Sequence, residues 1–203
     1  MIDPLTLSCT GLTCQRAGRT VFEGLDFSLP AGRMLAVTGP NGSGKSSLLR
    51  IIAGLLRAAG GSVALKGGDP ERNIAEQAHY LGHQDAMKPA LSVAENLAFW
   101  VRMFGAKASI QEALAATGLD SLAPIPAAYL SAGQKRRLSL ARLVAVRRPV
   151  WLLDEPTAAL DTAAQTILQR LMLAHLKGGG LIVAATHAQL GIDTSELVLG
   201  GQT

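Results

Sequence analysis

Residues 39–46 read Gly-Pro-Asn-Gly-Ser-Gly-Lys-Ser and fill the pattern G-x-x-x-x-G-K-[ST] at every defined position. An apolar run, 34–38, leads into them. Residues 46–53 follow with helical spacing, Leu48, Leu49, Ile51, Ile52 and Leu55 recurring on one side. A glycine-rich turn between a strand and a helix lets successive backbone N–H groups turn inward, and the helix N-terminus adds positive potential, so such a loop cradles phosphate. In that cradle Lys45 supplies a point charge between β- and γ-phosphates, and Ser46 offers its hydroxyl to Mg2+. A glycine turn with an incidental Lys-Ser would lack the flanking strand and helix.

The rest of the chain has the alternation that such a loop needs. Strands are predicted at 5–9, 25–29, 34–38, 63–65, 79–81, 150–153 and 181–185, and helices at 46–53, 94–104, 110–117, 131–147 and 162–176. Residues 5–9 and 25–29 alternate apolar with polar, as half-buried strands do, whereas 150–153 and 181–185 are unbroken apolar runs of strands buried on both faces. Strands alternating with helices predict an α/β fold with a parallel sheet. Residues 85–148 are almost wholly helical in pattern and read as a subdomain inserted between sheet strands. The expected division is a core of 1–84 and 149–203 and a helical subdomain of 85–148, and 203 residues suffice for one domain.

Two carboxylates follow the run 150–153. Asp154 ends a buried strand, where an unpaired carboxylate would be costly, and a Mg2+-linked role compensates for that burial. Glu155 is placed to polarise a water aimed at a γ-phosphate. The plain alternative for the pair is a turn before Pro156.

Leu130-Ser131-Ala132-Gly133-Gln134 resembles the signature of the ATP-binding cassette (ABC) ATPases. Locally, Ser131-x-x-Gln134 is also a capping box, and the two readings agree, because a serine-capped helix start is an anion site. The resemblance implies a P-loop NTPase core with a mostly parallel sheet, an N-terminal antiparallel β part and an inserted α-helical subdomain. It implies ATP and Mg2+ as ligands. Gly39, Pro40, Asn41, Gly42, Ser43, Gly44, Lys45, Ser46 and Ser47 then surround the nucleotide, and Ser46, Gln84 and Asp154 hold the metal. Gln84 matches the Q-loop glutamine and Ala159-Leu160-Asp161 the D-loop. His187 matches the switch histidine, so the catalytic set is Glu155, His187, Lys45 and Gln84. Ser131, Gly133 and Gln134 meet the γ-phosphate bound by the opposite subunit. Two positions depart: Ala132 stands where the family usually has glycine, and Arg16 where it usually has an aromatic residue stacked on adenine. A guanidinium plane can also stack on a base.

The stretches around these motifs (Leu12-Thr-Cys14-Gln-Arg16, Leu81-Gly-His-Gln84, Lys135-Arg-Arg137) look like the haem-exporter ATPases of cytochrome c maturation. That narrower resemblance implies a homodimer of ATPase subunits, integral membrane subunits of the cytochrome c maturation B and C type, and a peripheral position on the cytoplasmic side of the bacterial inner membrane. It implies no nucleic-acid partner and no haem bound directly by this chain. The same motifs also suit the ATPase of a transporter for another substrate, or a soluble non-transport ABC ATPase.

Composition narrows these expectations. Mean hydropathy is +0.26, yet a membrane span needs about 18 or more consecutive apolar residues. The longest candidate, 138–153, contains Arg142, Arg147, Arg148 and Pro149. The start of the chain lacks the basic and apolar regions of a secretory signal, and Cys9 and Cys14 are expected as thiols. A net charge of +4 suits several anionic partners. The basic residues Lys135, Arg136, Arg137, Arg142, Arg147 and Arg148 read chiefly as a solvated helix face, without the interleaved aromatics of single-strand binders. His79 and His83 are four apart, and in an extended strand that is about 13 Å, too far for one haem iron.

Overall fold

The computed structural model describes residues 3–82 and 84–200. The chain divides into two compact units. A core unit comprises Met1–Gly82, Arg148–Pro156 and Met172–Thr203, and a helical unit comprises His83–Arg147 and Thr157–Leu171.

In the core unit, β1 (Thr6–Arg16) and β2 (Arg19–Pro30) form an antiparallel hairpin around Ala17-Gly18, both of which have positive φ. Strand β1 also pairs antiparallel with β4 (Gly60–Lys66), giving the order β2-β1-β4. Both hairpin strands run longer than 5–9 and 25–29. The reason is a change of side: Leu7 and Cys9 are buried, and so are Leu12 and Cys14, with the parity switching at the irregularity between Cys9 and Leu12. Gly11 sits there at φ 57, and its amide donates to Asp26 Oδ1 at 2.8 Å. A bulge of this kind breaks the period-2 pattern that would otherwise announce the strand.

The second sheet is parallel throughout, in the order β5-β6-β7-β3-β8. Its strands are β3 (Met34–Thr38), β5 (Ala78–Leu81), β6 (Val150–Asp154), β7 (Leu181–Ala185) and β8 (Ser195–Val198). Every residue of β6 and β7 is buried, as their unbroken apolar runs require. Strand β8 has no such run; it is a four-residue, largely exposed edge strand, anchored by the Thr38 hydroxyl donating to Glu196 at 2.6 Å. Helix α1 (Lys45–Ile52) buries Leu48, Leu49, Ile51 and Ile52 in the core that also holds Val37, Leu152 and Val183. The one-turn α2 (Ile74–Gln77) starts at a capping box made by Asn73 and Glu76.

The helical unit carries α3 (Val93–Met103), α4 (Ile110–Ala116) and α5 (Ala132–Ala145) around a separate core that includes Val93, Leu97, Leu114, Leu119, Leu138 and Ala141. Each of these helices has a serine N-cap: Ser92, Ser109 and Ser131. Helix α6 (Thr162–Lys177) is shared by the two units. Its Arg170 donates to the Ala116 carbonyl at 3.2 Å within the helical unit. No helix among the described residues is long and apolar enough to cross a membrane.

Candidate active site

The loop after β3 is shaped by glycines that no other residue would replace cheaply. Gly39, Gly42 and Gly44 have φ of 129, 84 and 100°, in the region that L side chains rarely adopt. A Cβ on Gly39 would run into the Leu199 carbonyl, and one on Gly44 would lie 2.6 Å from the Val21 side chain and 2.9 Å from the Phe22 ring. Gly44 is the N-cap of α1 and makes no side-chain bond to its first amides, leaving them to a ligand. Lys45 is buried, and its Nζ donates to the carbonyls of Gly39 at 2.7 Å and Pro40 at 3.1 Å, so the ammonium is tied into the loop. The Ser43 hydroxyl is buried without a hydrogen-bond partner among the described residues. Pro40, Asn41 and Gly42 are exposed, and Ser47 is half-buried.

Asp154, 1% exposed, closes β6 beside this loop. The Ser46 hydroxyl donates to its Oδ1 at 3.0 Å, and the Tyr80 hydroxyl donates to its Oδ2 at 3.2 Å. Arg50 Nε in turn donates to the Tyr80 oxygen at 3.3 Å. Burial raises the Tyr80 phenol above its ordinary value, and the hydrogen bond to Tyr80 raises the Arg50 guanidinium. A serine hydroxyl beside a buried aspartate is the hard oxygen set that Mg2+ prefers. With the inward loop and the orphaned Ser43 hydroxyl, these residues fit a Mg2+–phosphate group.

Glu155 follows with φ 46°, strained for a residue with a side chain, and its amide donates to the Ala185 carbonyl at 2.9 Å. His187 stands just past β7, where the Thr186 amide donates to Val37 at 3.2 Å and the Thr186 hydroxyl accepts from Ala188 at 3.0 Å. His187 Nε2 lies 3.9 Å from Glu155 Oε1. The core unit thus brings residues 39–47, Asp154, Glu155 and His187 into one assembly. Arg16 is exposed at the end of β1. His79 is buried in β5, and His83 lies outside the described residues.

The remaining candidates belong to the helical unit. Ser131 caps α5: its hydroxyl accepts from the Gln134 amide at 3.2 Å, and its own amide donates to Gln134 Oε1 at 2.8 Å. Ser131 and Ala132 are exposed, and a Cβ on Gly133 would lie 3.1 Å from the Ala159 carbonyl. Asp161 Oδ1 accepts from the Ala164 amide at 2.8 Å. Gln84 is exposed, while Asp85 beside it is fixed to α5 by Arg136 at 3.4 Å and by the Ser139 hydroxyl at 3.1 Å.

A profile of the ABC transporter family matches residues 22–158, most of the chain and both carboxylates. The chain belongs to that family. The cytochrome c biogenesis ATP-binding export protein CcmA of Nitrobacter winogradskyi is 60% identical over 198 residues, which cover 97% of this chain and 99% of that protein. The protein of the same description from a Rhodopseudomonas palustris strain is 63% identical over the same span, 97% and 99%. A solved structure of the ATP-binding subunit of an ABC transporter superposes with a TM-score of 0.84, covering 95% of this chain and 85% of that one. At 22% identity that likeness shows the fold.

Within this ABC ATPase, sequence reasoning missed Tyr80, Arg50, Asp85, Arg136 and Ser139. Tyr80 reads as an ordinary strand residue, and nothing local links it to a carboxylate 74 positions away. Arg136 carried a weak signal: a charge inside α5 whose side chain is 5% exposed needs a partner, but helical spacing alone left it on the solvated face.

Proposed function

We propose that this chain is the ATP-hydrolysing subunit of an ABC exporter that serves cytochrome c biogenesis, with haem as the material handled. One observation carries the reading: identity of about 60% to the CcmA proteins runs along nearly the whole chain. The core-unit geometry supports the chemistry. The loop amides and Lys45 bind the β- and γ-phosphates of ATP, and Ser43 offers its buried hydroxyl to the same group. Ser46 and Asp154 would hold Mg2+. When bound, the ion neutralises part of the phosphate charge. Glu155 orients a water toward the γ-phosphate and accepts its proton as the bond to the β-phosphate oxygen breaks, giving ADP and phosphate. His187 stands beside Glu155 and contacts the γ-phosphate. Arg16 stacks on adenine.

The exposed start of α5 supports a role toward a second copy. Ser131, exposed, with half-buried Gly133 and Gln134 forms a helix N-terminus, the feature that attracts phosphate. Two copies then pair head to tail, each signature closing over the ATP held by the other, with Asp161 at the junction. ATP binding closes this homodimer and hydrolysis releases it. The helical subdomain, 85–148, passes the motion to integral membrane subunits of the cytochrome c maturation B and C type, and the chain sits on the cytoplasmic face of the inner membrane. The test is deletion with complementation in a host that makes c-type cytochromes. Covalent haem attachment is expected to disappear without the protein and to return with the parent, but not with Glu155→Gln. Normal attachment in the deletion strain would overturn the biogenesis role.

A further inference from the structure

We propose that Tyr80 is a positioning residue for the metal-binding carboxylate, holding Asp154 so that one oxygen stays with Ser46. The inference rests on the site assignment above. The Asp154 side chain has a soft terminal torsion that many orientations satisfy. Here each oxygen has its own donor, Ser46 on Oδ1 at 3.0 Å and Tyr80 on Oδ2 at 3.2 Å, and two donors on opposite oxygens fix the plane. The phenol is itself directed. Arg50 Nε donates to the phenol oxygen at 3.3 Å, so the acceptor side is occupied and the O–H points at Asp154. The strand register makes the reach possible: β5 and β6 are parallel, with Tyr80 opposite Leu152, one side-chain repeat before Asp154 on the same face.

A second, independent observation concerns Gly82. Its backbone is not in the left-handed region, so conformation does not require glycine. A Cβ there would lie 2.9 Å from Cε1 of Tyr80 and 3.0 Å from its hydroxyl oxygen. Glycine therefore clears the space that the phenol crosses on its way to Asp154. Tyr80 and Gly82 act as one device: the ring spans the strand end, and the missing side chain lets it lie close.

The experiment titrates Mg2+ into the purified full chain and reads the affinity of a fluorescent ADP analogue, with a parallel measurement in EDTA. Parent, Tyr80→Phe and Gly82→Ala are compared. Tyr80→Phe keeps the ring and removes only the donor; Gly82→Ala keeps the hydroxyl and displaces it. Both variants are expected to bind the analogue in EDTA as the parent does, while the Mg2+ concentration for half-maximal effect rises about tenfold or more, the scale of one hydrogen bond to a charged acceptor. An unchanged Mg2+ titration in both variants would overturn the proposal. So would an equal loss with and without Mg2+, which marks a purely packing role. A parent that binds no nucleotide in either condition overturns the site assignment itself, and the two failures are told apart by the parent alone.

Discussion

The two units hold their candidate residues in opposite ways. In the core unit several groups are already engaged: Lys45 with loop carbonyls, Ser46 and Tyr80 with Asp154, Glu155 with His187 nearby. In the helical unit the signature residues cap their own helix at an exposed start, Ser131 and Gln134 satisfying each other. The difference teaches a division of labour. A buried, strained and pre-bonded arrangement binds ligand on its own, because the cost of organising it is met during folding. An exposed cap contributes only when something else brings phosphate to it.

The largest effect is expected from breaking the core side. Lys45→Ala removes a buried charge that the phosphates require, so both ATP binding and hydrolysis should fall by about 100-fold or more, the scale of lost charge-assisted hydrogen bonds. The far-ultraviolet circular dichroism should be that of the parent. Binding retained at parental affinity would place the phosphate site elsewhere.

Breaking the helical side should separate binding from turnover. Ser131→Ala removes the N-cap of α5 and should cost about 1 kcal/mol in helix stability. Nucleotide affinity of the dilute chain should stay within about twofold, because on the proposed head-to-tail pairing the cap serves the ATP of the other copy, while phosphate release falls about tenfold or more. Equal losses in both would erase the contrast between the units.

A smaller effect sharpens the comparison through pH. His175 is half-buried in the core unit against Trp151, ring centroids 4.0 Å apart, and desolvation pulls its imidazole down to about 4, opposed by contacts to the Leu181 and Pro149 carbonyls. The unfolded chain takes up this proton near pH 6.5 and the folded core does not. Stability is therefore full above pH 6.5 and falls by about 1.4 kcal/mol per pH unit on acidification toward 4. The described helical unit holds no histidine. With Trp100→Phe leaving Trp151 as the reporter, urea midpoints should drop between pH 6.5 and 5, and His175→Phe should flatten that slope.

How much was readable beforehand follows the same contrast. The phosphate loop, the buried strands β6 and β7 and the Ser131–Gln134 cap are local patterns, and local patterns survive in a single sequence. The length of β1 was hidden because its bulge at Gly11 flips the buried side. Strand β8 was hidden because an exposed four-residue edge has no hydrophobic signature. The support of Asp154 by Tyr80 and Arg50, and of Asp85 by Arg136 and Ser139, joins residues far apart in the chain, and no spacing rule encodes such contacts. The candidate residues for the chemistry are legible as local motifs, and those that hold Asp154 and Asp85 in place are not.

The claim that the core unit binds ATP alone but needs a second copy's signature to act is tested most directly with Glu155→Gln. That variant keeps every binding group and loses the base. At saturating ATP and Mg2+, light scattering should give twice the 21.1 kDa of the chain, and ADP or no nucleotide should give the single chain. A variant that binds ATP fully yet remains at 21.1 kDa would contradict the account.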